Sequence, residues 1–170
     1  VWILGSSLFG AQLAAHLGLP YAFASHFAPA HLEQALHIYR TKFRPSQWLE
    51  APNAMMAMGV VGADTDEEAR FLHSTQLMSF ANVIQGTPGK LRKPVSNVEA
   101  HVPSHVLGYV RGAMSIAAVG SPATVQRRVA DIVGQYAPDE VIVTSMIYDL
   151  HARLASLTIA SEALSRVVTA

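Results

Sequence analysis

The stretch GSSLFGAQ at residues 5–12 follows directly on the apolar run VWIL at 1–4. It reads as a strand entering a glycine- and serine-rich turn that opens a helix. Such a turn offers free backbone N–H groups and two hydroxyls, the donors that an anion such as phosphate takes. The named motifs do not fit. Gly5 and Gly10 have the spacing of a P-loop, but Ala11 and Gln12 stand where Lys and Ser/Thr would follow, so NTP hydrolysis has no machinery here. Ser7 occupies the second glycine of the dinucleotide fingerprint, and Phe9 the last glycine of the hydrolase elbow. Two readings stay open on local sequence: Ser6 and Ser7 hold an anion, or they cap the helix.

Other reactive residue types are scattered. There is no cysteine, which excludes disulfides, thiolate metal sites and cysteine nucleophiles within the chain. The eight histidines form no H-E-x-x-H. Val-Pro-Ser between His101 and His105 argues against a shared helix face, and His31 and His37 are too far apart for adjacent turns. A metal site is therefore not expected. Asp64 reads as a helix cap beside Thr65, Arg127-Arg128 as a solvated helix face, and Leu13 and Leu17 as core.

These residues need a scaffold, and the composition supplies one. The chain has 170 residues, 51% hydrophobic, with twelve basic and twelve acidic side chains, enough apolar material for one core. A net charge of zero gives no electrostatic case for nucleic acid or an anionic membrane. No apolar run approaches a membrane span, so a soluble, cytoplasmic protein is expected. Val1 opens inside a strand, which points to the C-terminal part of something longer.

Strands are expected at 1–5, 21–24, 54–61 and 141–144. Helices are expected at 10–17 with Gly18 as stop, at 29–42, from the Thr65/Glu68 capping box to about 85, from Ser121-Pro122 onward, and at 149–168. Continuous apolar strands alternating with helices argue for a parallel sheet covered on both faces. Residues 87–119 lack strong periodicity and read as a long insertion, a natural lid. Four strands with covering helices make half of a (β/α)8 barrel, or a smaller open α/β sheet.

At this level the sequence resembles the luciferase-like flavin-dependent monooxygenases. The opening VWILGSSLFGAQLAAHLGLPYAFASHFAP is similar to the middle of that family. YRTKFRPS at 39–46, GADTDEEA at 62–69, IQGTPGKLRKPV at 84–95, VGSPATV at 119–125 and DEVIVTSMIYDLHARLAS at 139–156 then follow in family order. Arg92-Lys93 before the proline departs from the usual Gly-Pro-Leu-Pro connector. The resemblance implies strands five to eight of a TIM barrel, a single unit over 1–170 with the 87–119 insertion before the last helix–strand unit. It implies reduced FMN as cofactor, with F420 the less favoured alternative, and O2 oxidising a small organic substrate. It also implies a flavin reductase as partner, and a missing N-terminal half or a second copy to close the barrel. A non-catalytic flavin-binding half-barrel is the competing reading.

By resemblance, Ser6 and Ser7 hold the FMN phosphate, with Gly10 opening the helix. His26 lines the flavin or substrate cavity, or is a packed, hydrogen-bonded residue. Ser25, Thr144, Ser145 and Met146 end strands and line the cavity, Met146 as wall. The resemblance nominates no catalytic residue in this chain, because the assisting residues and the arginines that complete the phosphate site belong to the absent half.

Overall fold

A computed structural model describes residues 1–168. Its elements are β1 (Ile3–Gly5), α1 (Leu8–Leu17), β2 (Tyr21–Phe23), a 3-10 turn at Pro29–His31 leading into α2 (Leu32–Lys42), and β3 (Ala54–Gly62). They continue with α3 (Asp66–Ile84), a 3-10 turn at Val98–Ala100, α4 (Ser104–Ala113), β4 (Ala117–Gly120), α5 (Pro122–Tyr136), β5 (Glu140–Thr144) and α6 (Leu150–Val168). The local signals explain most boundaries. Gly18 ends α1 in the left-handed region at φ 63°, its N–H bonded to the Ala14 carbonyl. Thr65 is the N-cap of α3 and accepts the Glu68 N–H at 3.1 Å. Pro122 sits in the first turn of α5, where its missing N–H costs nothing.

All pairings in the sheet are parallel, and β3 is its hub. Backbone groups of alternate residues in a strand point to opposite sides. The Asn53 carbonyl meets the Tyr21 N–H, and the Gly59 N–H and Ala63 N–H bond the Ile116 and Gly120 carbonyls. One side of β3 therefore runs along β2 and then β4. Its other side runs along β5, from Met55 opposite Glu140 to Gly59 opposite Thr144. Where a neighbour strand stops short, a buried serine takes over. Ser25 Oγ donates to the Ala57 carbonyl at 2.6 Å on the β2 side. On the β5 side, Ser156 Oγ accepts the Gly62 N–H at 2.9 Å and lies 3.3 Å from the Val60 carbonyl.

Two expectations change. The sheet has five strands rather than four, because the supposed insertion ends in β4 and contains α4. Nor is the sheet covered on both faces throughout. Tyr21, Phe23, Ala54, Met56, Met58 and Val60 point to one face and form the main core with α1, α2, α5 and α6. On the opposite face α3 covers only the far end, through Val61, Ala69, Leu72 and Ile147. At both edges this face is open: Leu4 on β1 is 72% exposed and Ile142 on β5 is 51% exposed. These two lie on one face by register, through Leu4 opposite Ala22, Ala22 opposite Met55, and Ala57 opposite Ile142.

The 87–119 segment is not a loose flap. Leu77, Met78 and Ala81 of α3 pack against Val98, Val102, Val106, Leu107 and Val110. Thr75 Oγ1 donates to the Arg92 carbonyl at 3.0 Å, and the Val95 N–H donates to Ser74 Oγ at 2.8 Å. Among the described residues, no helix is long and apolar enough to cross a membrane.

Candidate active site at the strand carboxyl ends

The predicted site residues fall mainly at the carboxyl ends of β1, β2 and β5, the end where chemistry sits in parallel α/β folds. Ser7 is the N-cap of α1 with extended backbone, φ −139° and ψ 167°, yet its hydroxyl makes no capping hydrogen bond. Ser6 and Ser7 are both exposed, and the first turn of α1 carries no acidic residue. The turn is held from behind. Tyr21 Oη donates to the Ser7 carbonyl at 3.3 Å, and burial pushes this phenol up to about 12, so it is a neutral donor. Gly10 is buried in the first turn. A Cβ there would lie 3.4 Å from Tyr21 Cε2 and 3.5 Å from the Gly5 Cα, so its structural role is close approach of helix to strand.

At the end of β2, His26 packs edge-on against Phe27 with ring centroids 4.6 Å apart. Its Nδ1 is buried without a hydrogen-bond partner, and burial lowers its pKa. At the end of β5, Thr144 Oγ1 is likewise buried and unpartnered. Buried polar groups are normally paired, so these two orphaned atoms at strand ends stand out. Met146, two residues beyond Thr144, is exposed.

Ser25, expected to line the cavity, is held in the sheet. It is fully buried and its hydroxyl is committed to the Ala57 carbonyl. Ser25→Ala leaves that carbonyl without its partner and is expected to cost about 1–3 kcal/mol in urea denaturation. A wild-type midpoint in the variant would show the bond to be dispensable. Ser145 also turns inward, its Oγ 3.2 Å from Ser156 Oγ.

Residues outside the sequence expectations fasten the site's rim. Asp66 Oδ1 accepts the Ser121 N–H at 2.6 Å and Oδ2 accepts the Thr124 hydroxyl at 3.2 Å, joining the N-termini of α3 and α5. The Ser121 N–H, then the Ser121 and Thr124 hydroxyls, hold this carboxyl below the usual range. Arg128 is not merely solvated: its guanidinium donates to the Ala117 carbonyl at 3.3 Å and the Ser115 carbonyl at 2.9 Å, fixing the entry to β4.

Comparisons with known proteins agree with this architecture. The sequence profile described as luciferase-like monooxygenase matches residues 1–138. A luciferase-like monooxygenase of Escherichia coli (strain K12) is 44% identical over 163 residues, spanning 95% of this chain and 48% of that protein. The protein YvbT of Bacillus subtilis (strain 168) is 36% identical over 162 residues, with 95% and 48% covered. The crystal structure of apo-MsnO8 superposes with a TM-score of 0.83 at 30% identity, covering 96% of this chain and 50% of that one. Riboflavin lyase RcaE, crystallised with modified FMN and riboflavin, shares the fold at a TM-score of 0.58 and 18% identity, with 97% and 42% covered. The chain thus spans about half the length of the curated relatives it matches. It belongs to the luciferase-like monooxygenase family.

Proposed function

We propose that β1, β2, β3 and β5 of this chain form strands five to eight of a flavin-dependent monooxygenase barrel, with β4 an additional strand along the end of β3, and that the β1–α1 turn grips the FMN phosphate. The observation that carries this reading is the pair of unengaged serine hydroxyls at a helix N-terminus, at the carboxyl end of β1. Hydroxyl and amide donors suit a phosphate dianion, and the helix dipole favours its charge. Bound reduced FMN supplies the redox chemistry with O2 and a small organic substrate. The protein's share is to position the ring and exclude water. His26 and Thr144 would offer their unpartnered polar atoms to the cofactor or substrate, and Met146 a wall.

The open face and both edges support the half-barrel. Beside β1, Phe9 and Leu17 of α1 are exposed; beside β5, Leu150, Leu154 and Leu157 recur at helical spacing on the exposed side of α6. Apolar flanks at both ends of a parallel sheet are what a complementary set of strands and helices would cover. A reductase delivering FMNH2 and a cytoplasmic setting complete the reading, with FMN favoured over F420.

Titrating the chain with FMN and with riboflavin, which lacks the phosphate, tests it through quenching of flavin fluorescence. FMN should bind at least about tenfold more tightly. Combined Ser6→Ala and Ser7→Ala substitution should remove about 1.5–3 kcal/mol of that affinity and leave riboflavin unchanged. Equal affinities for the two flavins in the unaltered chain would refute the phosphate site.

A further inference from the structure

Gly59 stands between Ala117 of β4 and Thr144 of β5, its partners in register, so the three side-chain positions form one row on the α3 face of the sheet. Gln76 follows Leu72 by about one turn of α3 and shares its inward stripe. It is only 5% exposed, and its Nε2 lies 3.9 Å from where a Gly59 Cβ would be. No described residue hydrogen-bonds its amide. On the other side of Gly59, Thr144 Oγ1 is buried and unpartnered. Folding does not account for the glycine. Its φ lies outside the left-handed range, and an added Cβ would make ordinary contacts, the nearest with Ala117 Cβ at 3.5 Å. A glycine in mid-strand gives up packing and raises the entropy cost of folding, and uncommitted buried polar groups add to that cost. Three residues thus forgo stability at one spot, as residues kept for a ligand do.

We propose that Gly59, Gln76 and Thr144 hold the pyrimidine end of the flavin ring, where an imide N–H lies between two carbonyls. The Gln76 amide donates and accepts side by side, which matches an adjacent N–H and C=O in two hydrogen bonds. The Thr144 hydroxyl is free to donate to the second carbonyl. A carboxylate would leave the Gln76 carbonyl unpaired, and an ammonium its N–H groups. The missing Cβ lets a ring edge approach the β3 backbone. Ile142, on the same face of β5 as Thr144 and 51% exposed, lies on the open side from which a ring enters. This assignment rests on the flavin reading, but not on its phosphate turn.

The test is fluorescence titration of the whole chain with riboflavin and with 3-methylriboflavin, in which a methyl group replaces the imide hydrogen. The methylated flavin should bind about tenfold more weakly, the loss of one or two hydrogen bonds. Gln76→Leu should weaken riboflavin about tenfold and close the gap between the two flavins. Gly59→Ala should weaken both, because its methyl group takes the space of the ring edge. Neither substitution should lower the urea midpoint, whereas residues with a purely structural role would lower it when replaced. Equal affinities for the two riboflavins overturn the proposal, as does undetectable riboflavin binding. A lowered midpoint with unchanged affinity in Gly59→Ala does the same. Preference for FMN over riboflavin with no discrimination by the methyl group would keep the phosphate turn and remove this subsite. The opposite pair of results would keep the subsite and remove the phosphate turn.

Discussion

Lowering the pH from 7 to about 4 is expected to cost the folded chain about 3 kcal/mol through His73 alone. This side chain lies on α3, its Nε2 is buried without a hydrogen-bond partner, and burial pushes its pKa down to about 4, with the Arg111 charge adding to the effect. The unfolded chain takes up the proton at the ordinary 6.5, while the folded chain resists it until about 4. Protons therefore bind preferentially to the unfolded state across that interval, and stability falls as pH falls through it. At ~1.4 kcal/mol per pH unit the accumulated loss is about 3 kcal/mol. Asp66 has the opposite sign of charge and a lower window. Its depressed carboxyl contributes stability above its ordinary pKa, lost only as pH drops through the folded value. His26 shifts in the same direction as His73, through burial, so its contribution has the same sign. Urea denaturation at a series of pH values separates the contributions: His73→Leu should flatten most of the slope between about pH 6.5 and pH 4. Parallel profiles for the two proteins would place the acid sensitivity elsewhere.

The sequence announced most of this architecture because its signals were local. Gly18, the Thr65 cap and Pro122 each mark a boundary through their own backbone chemistry, and AMMAMGVV is too apolar to be anything but buried. What escaped depended on distant partners. β4 is only Ala-Ala-Val-Gly, with little strand propensity of its own, and exists because the end of β3 offers it a ladder. α4 carries Gly108 and Gly112, which weaken a helix, and owes its form to the apolar surface of α3. The same division holds at the site. The Ser6-Ser7 turn is legible as a pattern along the chain, whereas Ser25 and Ser156 have roles fixed by which strand ends first. No spacing rule reveals that. Asp66 was hidden for a similar reason: its partners Ser121 and Thr124 lie more than fifty residues away. Among the eight histidines nothing in the sequence distinguishes His73, whose buried, unpartnered Nε2 is a product of tertiary packing.

Replacing Gly18 by alanine is expected to cost roughly 3 kcal/mol or more, far beyond an ordinary turn glycine. Two penalties coincide there. The left-handed backbone, φ 63°, costs an L-residue about 1–2 kcal/mol. The added Cβ would also lie 2.5 Å from the Arg44 carbonyl oxygen and 2.5 Å from Ser46 Cβ. Those atoms cannot retreat cheaply, because the Arg44 N–H bonds the Ala15 carbonyl and Ser46 Oγ donates to the Gly18 carbonyl at 2.8 Å. Gly86 supplies the control: it has φ 72° but nothing within 4 Å of an added Cβ, so Gly86→Ala should show the backbone penalty alone. The difference between the two variants in urea midpoint isolates the collision. Relief of that collision moves either the 44–46 segment or α1, and α1 carries at its other end the turn set by Ser7 and the Tyr21 bond. Gly18→Ala should therefore weaken FMN more than riboflavin in whatever fraction remains folded. A loss no greater than that of Gly86→Ala would mean that the 44–46 segment yields, and that α1 is not braced from its C-terminal end.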